Sequence, residues 1–389
     1  MPPSKEPETI AAANGIATDK AFGSIVPPAY LSSTFAFGGF RQSGPYDYTR
    51  TANPTRDLLA DTLAKLEGGA GAVITSSGMA ALDLLFGQLR RDDLIVAPHD
   101  CYGGTYRLLE GRRDRGHLRV CFVDQGDDAA LEQALKASPA LVLIETPSNP
   151  LMRIVDIRRI AARGRAAGCK VAVDNTFMSP ALQRPLLLGA DFVVHSTTKY
   201  LNGHSDVVGG AVVAAAPADV EALRAWANTT GVTGAPFDAY LTLRGVRTLF
   251  PRMERQQASA GKIADVLAGH PGVRACHYPG LPGHSGHALA RSQQSGFGAM
   301  LSFELAGGVE AVTRFLQALQ IFTLAESLGG VESLVAHPAT MTHAGMDEAA
   351  RRAAGITDGL LRLSVGLEGE ADLIADIGRG LAAAGFGRS

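Results

Sequence analysis

The chain has 389 residues, of which 46% are hydrophobic and 19% charged, with 45 glycines. This composition is typical of a globular α/β protein, excludes a disordered or fibrous chain, and at this length predicts two or three domains. Its 36 basic and 38 acidic residues leave a net charge of −2, so neither nucleic acid nor an anionic membrane is an expected partner.

The cysteines are widely spaced and form no CxxC pair; they are Cys101, Cys121, Cys169 and Cys276. This spacing is typical of reduced thiols inside a cell rather than of a disulfide framework. No basic segment followed by an apolar one opens the chain, and no stretch approaches 18 uncharged apolar residues. We therefore expect a cytoplasmic protein.

Residues 1–55 have no clear helical or strand period and are rich in Pro, Gly and Ser. Val26-Pro27-Pro28 and Gly44-Pro45-Tyr46 indicate extended chain. Fifty irregular residues are unusual inside a compact domain. We expect this segment to be an N-terminal arm that lies over a neighbouring subunit.

Apolar runs alternate with helical periods between residues 56 and 250. The apolar runs are 70–75, 94–97, 119–123, 140–145, 170–174, 191–194 and 209–215, and helical stretches include 79–89, 127–136 and 156–167. This alternation predicts βαβ units and a mostly parallel sheet, with ligands beyond the carboxyl ends of the strands. Ser77, Gly78, Asn149, Asp174 and Lys199 all follow or end apolar runs, so we expect them at one edge of this large domain.

The pattern changes after about residue 250. A long helix at 252–269 is followed by strand-like runs at 299–304 and 361–365 and by helices at 309–319 and 371–384. We expect residues 251–389 to form a smaller α+β domain.

The segment His195-Ser-Thr-Thr-Lys199 and the residue Asp174 together indicate a pyridoxal phosphate (PLP) site in the large domain. A lysine amine can form a Schiff base with the cofactor aldehyde, an aspartate can hold the pyridine nitrogen protonated, and the hydroxyls of Ser196 and Thr198 can donate to the phosphate. Alone, Lys199 reads as a surface lysine and Asp174 as a turn residue. Their joint appearance at two strand ends favours the PLP site.

A phosphate cradle is predicted where Thr75-Ser-Ser-Gly-Met-Ala80 joins a strand to a helix. Glycine lets the backbone approach an anion, and the first free amides of the helix point towards it. We place the phosphate on the amides of Gly78 and Met79, beside Ser77. Small residues in a strand–helix turn are also explained by the turn alone.

Tyr102 follows another predicted strand and is placed to stack on the pyridine ring; the alternative is a turn tyrosine. Arg50, in the arm, can pair with a phosphate dianion if the arm crosses to a second subunit, and is otherwise solvated. Arg362 lies within an apolar strand and requires an anion, because an unpaired buried charge is costly. That anion is either a substrate α-carboxylate or an internal Asp or Glu.

We predict no metal site. His277, His284 and His287 lie among glycines and prolines without carboxylate or cysteine at ligand spacing, which favours a polar loop. Cys101 has no identifiable histidine partner, so a cysteine nucleophile is not favoured either.

The chain resembles the Cys/Met-metabolism family of PLP-dependent enzymes, the trans-sulfuration group. The resemblance covers nearly the whole length and is carried by Asp47-Tyr-Thr-Arg-Thr-Ala-Asn-Pro-Thr55, Asp174-Asn-Thr-Phe177 and Ser196-Thr-Thr-Lys-Tyr-Leu-Asn-Gly-His204. Two further segments, Leu324–Leu334 and Met341-Thr-His-Ala-Gly-Met346, are most similar to bacterial members that make cystathionine. The resemblance implies a fold-type I, aspartate-aminotransferase-like architecture and a homotetramer built from two dimers with shared sites.

The resemblance also implies residue roles. Lys199 is the Schiff-base lysine, Asp174 the partner of the ring nitrogen, and Tyr102 the stacking residue. The remaining cofactor-binding residues it implies are Ser77, Gly78, Met79, Asn149, Thr176, Ser196 and Thr198, with Tyr48 and Arg50 donated by the neighbouring subunit. Arg362 and Ser327 would hold the substrate α-carboxylate.

Glu326 precedes Ser327, as in members that handle cystathionine, and would meet a distal ammonium group. Arg107 would face the distal carboxylate or acyl group. The succinyl donor is favoured. Several succinyl-using members, however, have two adjacent arginines in the arm, whereas Thr51 follows Arg50 here, so the acetyl donor stays open.

The implied reaction is γ-replacement on an O-acylhomoserine by cysteine, forming cystathionine for methionine biosynthesis, with Lys199 as the mobile base. Three rivals are elimination on cystathionine, replacement by sulfide instead of cysteine, and a non-catalytic scaffold. The scaffold would be expected to have a broken set of site residues.

Overall fold

A computed structural model describes residues 5–344, 351 and 354–387 of the chain. Its two β-sheets lie in different parts of the sequence, a seven-stranded sheet before residue 215 and a five-stranded sheet after residue 272. Within the described ranges, no helix has both the length and the apolarity needed to cross a membrane.

The large sheet has the strand order β1-β7-β6-β5-β4-β2-β3. Its strands are β1 Gly71–Thr75, β2 Leu94–Pro98, β3 Arg119–Val123, β4 Leu141–Glu145, β5 Lys170–Asp174, β6 Phe192–Ser196 and β7 Gly210–Ala214. All neighbouring pairs are parallel except those of β7, which runs antiparallel to β1 and β6. The predicted, mostly parallel sheet is confirmed, and each strand overlaps a predicted apolar run.

Helices cover both faces of this sheet. They are α2 Pro54–Glu67, α3 Gly78–Phe86, α4 Gly103–Asp114, α5 Asp128–Leu135, α6 Ile157–Ala166, α7 Ser179–Leu182, α8 Pro217–Thr230 and α9 Pro236–Val246. The side chain of Asn53 caps α2 by accepting from the amides of Thr55 and Arg56, and Gly68 ends it at φ 76°. Residues of α2 share one apolar core with Val193, and residues of α3 share another with Val194, so these two helices cover opposite faces.

The smaller sheet has the order β10-β11-β12-β9-β8. Its strands are β8 Val273–His277, β9 Met300–Leu305, β10 Thr323–Leu324, β11 Leu334–Ala336 and β12 Leu360–Ser364, and the helices around it are α10 Leu249–Ala268, α11 His287–Gln293, α12 Gly308–Ala318 and α13 Glu370–Leu381. Strands β9 and β12 and helices α10, α12 and α13 match predicted segments. Strands β8, β10 and β11 were not predicted.

The N-terminal segment departs from the prediction in one place. A helix, α1 Pro7–Ala13, forms where no helical period was seen, and Asn14 donates to Asp61 and Thr62 of α2 just after it. A seven-residue helix is too short to be stable alone, so these contacts account for it. Much of the following chain is extended and exposes large apolar side chains, with Phe22 94% and Phe40 90% accessible.

Three strand ends bring polar side chains to one edge. In the parallel pairing of β4 and β5, Glu145 lies opposite Asp174, and β6 ends at Ser196. The turn after Ser196 carries Lys199, while β12 of the smaller sheet carries Arg362. The site is therefore built from both sheets.

Candidate active site

A cavity of about 390 Å³ lies at this edge, between the two sheets. Fourteen of the sixteen predicted site residues line it: Ser77, Gly78, Met79, Tyr102, Arg107, Asn149, Asp174, Thr176, Ser196, Thr198, Lys199, Glu326, Ser327 and Arg362. The set that a scaffold would have been expected to lose is intact.

Lys199 is half-buried in this cavity, and its Nζ lies 2.7 Å from Oγ of Ser327. Burial and the positive charge of Arg362 together lower the pKa of Lys199 to about 8, against the opposing effect of Glu326. A larger fraction of the amine is therefore a free base near neutral pH than for a lysine in water. This is the state that a nucleophile or base requires.

The lowered pKa gives a direct test. In cofactor-free protein, the rate at which an amine-selective reagent modifies Lys199, followed by peptide mass spectrometry, should rise with a midpoint near pH 8. Nα-acetyl-lysine in the same tube, which has a free side-chain amine, should show a midpoint at about pH 10.4. Identical midpoints would contradict the lowered pKa.

Asp174 ends β5 and accepts at Oδ1 from the amide of Thr176 at 3.0 Å. Burial raises the pKa of the Asp174 carboxyl, while the hydrogen bonds from Thr176 and the nearby His195 oppose that rise. A bound cation is the partner that would best keep such a carboxylate ionised, and a protonated pyridine nitrogen is one.

The turn at Ser77 and Gly78 has the shape of an anion cradle. Oγ of Ser77 accepts from the amide of Ala80 at 3.0 Å, leaving the amides of Gly78 and Met79 ahead of it in the first turn of α3. A Cβ on Gly78 would lie 2.7 Å from Cβ of Ser196, so only glycine fits there. The donor set and the space it leaves fit a phosphate group.

The hydroxyls of this cradle are also held by the backbone. The amide of Ser196 donates to Oγ1 of Thr176 at 2.9 Å, and Oγ1 of Thr198 accepts from the amide of Gly209 at 3.0 Å. Thr176 therefore connects Asp174 to the end of β6.

Arg362 is buried, and the hydrogen bonds it makes to described residues go to neutral oxygens. Its Nη1 donates to Oδ1 of Asn149 at 3.0 Å and its Nη2 to the carbonyl of Ser327 at 2.9 Å. Burial lowers the pKa of Arg362 to about 10. Among the described residues no carboxylate lies within 4.0 Å of its guanidinium, so the alternative of an internal Asp or Glu partner is not observed there.

Ser327 has a second feature that the sequence did not reveal. Its φ is 91°, in the left-handed region that non-glycine residues rarely adopt. In this conformation its hydroxyl reaches Lys199 and its carbonyl accepts from Arg362. Ser327 therefore bonds to the base and to the arginine, in addition to lining the cavity.

Tyr48 and Arg50 lie outside this cavity. Arg50 donates from Nε to Oδ1 of Asn228 at 3.1 Å, and its guanidinium lies 5.5 Å from the centre of the Tyr48 ring. Tyr48 is 46% exposed. Within one chain, these two residues do not join the other fourteen.

Glu145 is the main residue that sequence reasoning missed. Its carboxylate accepts from the amide of Tyr102 at 2.8 Å through Oε2 and from the amide of Asn149 at 3.3 Å through Oε1. Burial and the charge of Asp174 raise the pKa of Glu145 well above its usual range. The signal was available, because Glu145 ends an apolar run as Asp174 does. Other cavity residues not predicted are Leu82, Pro147, Phe177, Val208, Leu328, Met341 and Thr342.

Glu145 belongs to a continuous chain of hydrogen bonds around the cavity. It connects in order Tyr102, Glu145, Asn149, Arg362, Ser327 and Lys199. Asn149, predicted to bind the cofactor, also accepts from Arg362 through its side chain. The positions of the predicted stacking ring, the buried arginine and the base are thus coupled.

The prediction of no metal site was made for His277, His284 and His287, which lie outside this cavity. His287 Nδ1 lies 2.8 Å from the carbonyl of Pro279, and its ring stacks on Phe297. Across residues 5–344, 351 and 354–387, no group of three His, Cys, Asp or Glu residues could hold a metal ion. Of the Met341–Met346 segment, residues 345 and 346 lie outside the described ranges.

A lysine and an aspartate at the ends of a mostly parallel sheet, with a phosphate cradle beside them, define a PLP-dependent enzyme of the aspartate-aminotransferase-like class. The chain belongs to the Cys/Met metabolism PLP-dependent enzyme family, whose profile matches residues 8–382. The predicted family, fold class and cofactor are confirmed. When bound, PLP would be held by Lys199, Asp174 and the Gly78 turn.

Named relatives lie within this family. The chain is 56% identical over 380 residues to cystathionine gamma-synthase of Escherichia coli K12, covering 97% of this chain and 98% of that one. It is 44% identical over 374 residues to cystathionine gamma-lyase of Bacillus subtilis, covering 96% and 98%. A crystal structure of cystathionine gamma synthase from Xanthomonas oryzae in complex with cystathionine has a TM-score of 0.97 at 55% identity, over 98% of this chain and 99% of that one.

Proposed function

We propose that this protein catalyses γ-replacement on an O-acylhomoserine by cysteine, forming cystathionine, with O-succinylhomoserine as the favoured donor. The observation that carries the proposal is Arg362, a buried guanidinium without an ion pair among the described residues, in the same cavity as Arg107, Glu326 and Lys199. The synthases named above are 55–56% identical to this chain and the named lyase 44%.

The charges around the cavity suit a substrate that is an amino acid at one end and an anion at the other. Arg362 is the proposed site of the α-carboxylate, because a planar guanidinium matches a carboxylate bidentately. Arg107, on α4, lies on the cavity wall for a distal carboxylate or succinyl group. Glu326 is the proposed partner of an ammonium group on cysteine or cystathionine.

In this proposal PLP supplies an aldehyde carbon for the substrate amine and an electron-withdrawing ring. Lys199 would act as the mobile base: its Nζ takes the proton from Cα and delivers it to the former aldehyde carbon of the cofactor. As a free amine again, Nζ then takes a proton from Cβ, which allows the γ-acyloxy group to leave as a carboxylate. Asp174, as a carboxylate, would pair with the protonated ring nitrogen. Tyr102, whose amide donates to Glu145, would stack on the ring, and Ser327 would hold Nζ between proton transfers.

The acceptor assay tests the reaction. Purified holoenzyme is given O-succinylhomoserine, O-acetylhomoserine or cystathionine, with cysteine or sulfide as acceptor, and kcat/KM is measured for each pair. The highest value is expected for O-succinylhomoserine with cysteine. Faster turnover with sulfide would replace the proposal with sulfhydrylation.

Elimination on cystathionine is the second candidate. The same Lys199, Arg362 and Glu326 would serve it, and the Bacillus subtilis relative of that name matches 96% of this chain. A higher kcat/KM for cystathionine than for either acylated homoserine would establish the lyase instead.

We also propose that the arm, residues 1–55, completes the site of a neighbouring subunit, in a tetramer built from two such dimers. Support comes from the exposed apolar side chains of the arm and from Tyr48 and Arg50, which lie outside the cavity of their own chain. The same proposal divides the rest of the chain into a PLP-binding domain, 56–250, and a smaller domain, 251–389. It also places the protein in the cytoplasm, which suits its four free cysteines.

Subunit complementation tests the shared site. Lys199→Ala and Arg50→Ala proteins are each expected to have little activity, whereas a 1:1 mixture after subunit exchange should recover up to about a quarter of wild-type activity. One in two dimers is then mixed, and one of its two sites has both residues intact, which is the physical reason for this ceiling. Exchange is verified by native mass spectrometry; verified exchange without recovery would contradict an arm acting in trans.

A further inference from the structure

A buried polar group lies on the face of the large sheet that is opposite the cavity. Val193 packs with α2 on one face and Val194 packs with α3 on the other. Because side chains alternate along a strand, His195 points to the α2 face while Ser196 points to the α3 face, where the cavity lies. There His195 meets Glu67, the last residue of α2, with Nε2 and Oε1 2.7 Å apart.

Four buried side chains form what we call the polar layer: Glu67, Asn175, Gln183 and His195. Oε1 of Glu67 also accepts from Nδ2 of Asn175 at 2.9 Å. Nε2 of Gln183 donates to Oδ1 of Asn175 and to the carbonyl of Thr146, both at 3.0 Å. The layer is therefore one connected network.

Three strands of the large sheet that end beside the cavity, β4, β5 and β6, are contacted by this layer at a residue next to a cavity residue. Thr146 follows Glu145, Asn175 follows Asp174, and His195 precedes Ser196. The network joins the ends of β4, β5 and β6 to α2. It continues into the C-terminal half of the chain, since Nε2 of Gln294 donates to Oε1 of Gln183 at 2.8 Å.

Stability alone does not explain a charged residue at this place. Glu67 is fully buried, and its Oε2 has no hydrogen-bond partner among the described residues. Replacing a buried polar pair by apolar side chains is often neutral or stabilising. Hydrogen bonds, however, are directional and fix relative positions, which apolar packing of similar volume does less strictly.

We propose that the polar layer is a positioning device for the PLP site: through Oε1 of Glu67 it fixes the ends of β4, β5 and β6 from beneath. None of its four residues lines the cavity, so their role is indirect. The inference concerns cofactor binding and does not depend on which sulfur reaction the enzyme performs.

A matched pair of substitutions at Glu67 separates hydrogen bonding from volume. Glu67→Gln keeps Oε1 as acceptor and places the amide nitrogen where Oε2 has no partner. Glu67→Met keeps the length of the side chain and removes the acceptor. For each variant, the PLP dissociation constant of the cofactor-free protein is measured by equilibrium dialysis, together with the visible circular dichroism of the bound cofactor.

We expect Glu67→Gln to bind PLP within about two-fold of wild type and Glu67→Met to bind it about ten-fold more weakly, with altered dichroism; the size follows what the loss of an orienting partner costs at metal sites. Gln183→Met removes the two hydrogen bonds that Nε2 of Gln183 donates within the layer and to Thr146, and should behave like Glu67→Met. It serves as the second variant if Glu67→Met does not fold.

Asp376→Leu is the matched control for loss of stability. Asp376 is a fully buried carboxylate far along the chain that accepts from the amides of Gln320, Ile321 and Phe322. Its replacement should lower the melting temperature without changing PLP affinity. Wild-type affinity in a folded methionine variant, weak binding by Glu67→Gln, or failure of both methionine variants to fold would each overturn the proposal.

Discussion

Replacing Lys199 with alanine is expected to lower kcat by about 10³-fold or more, since a positioned general acid–base group contributes about 10²–10⁴-fold and Lys199 serves several proton transfers. Binding of PLP should persist without a covalent bond, because Asp174 and the Gly78 turn are unchanged. The cofactor should then be removable by dialysis, and borohydride should no longer fix it to the protein. Both are followed by absorbance and intact mass.

Two comparisons sharpen this result. Lys65→Ala, which removes a lysine on the surface of α2 paired with Asp61, should leave kcat unchanged. A small primary amine added to Lys199→Ala should restore part of the activity by taking the place of Nζ. More than about 1% residual activity without added amine would mean that another group is the base.

The pattern of apolar runs was sufficient to predict most of the large sheet, because strands buried on both faces are nearly continuous in apolar residues. It did not predict that β7 is antiparallel, since an apolar run such as Gly210–Ala214 carries no direction. Nor did it predict β8, where Val273–His277 has polar and half-buried positions. Helix α1 was missed because it depends on contacts with α2.

The residues of the site were more predictable than their contacts. Lys199 and Asp174 follow local signals, a hydroxyl-rich turn and a strand end. The bond from Arg362 to Asn149 joins residues 213 positions apart, and no local pattern encodes it. The positive φ of Ser327 is set by the surrounding structure, so no local pattern indicated the contact between its hydroxyl and Lys199.

Replacing Arg362 with methionine is expected to lower kcat/KM for the acylhomoserine by roughly 10- to 150-fold, mainly through a higher KM. Charge-assisted hydrogen bonds contribute about 1.5–3 kcal/mol, which corresponds to this range. Arg362→Lys keeps the charge but loses the planar fork, so an intermediate loss is expected. The melting temperature of Arg362→Met should be equal to or above that of wild type, because a buried charge without an ion pair among the described residues is removed.

A substrate analogue without the α-carboxylate tells which contact of Arg362 matters. If the guanidinium binds that carboxylate, wild type and Arg362→Met should have similar inhibition constants for the analogue, while they differ by at least ten-fold for the carboxylate-bearing inhibitor. Equal losses for both compounds would mean that Arg362 acts through the carbonyl of Ser327, and hence on the position of Lys199. Because Arg362 joins the carboxylate end of the cavity to its base, this comparison decides whether its role is recognition or alignment of Nζ.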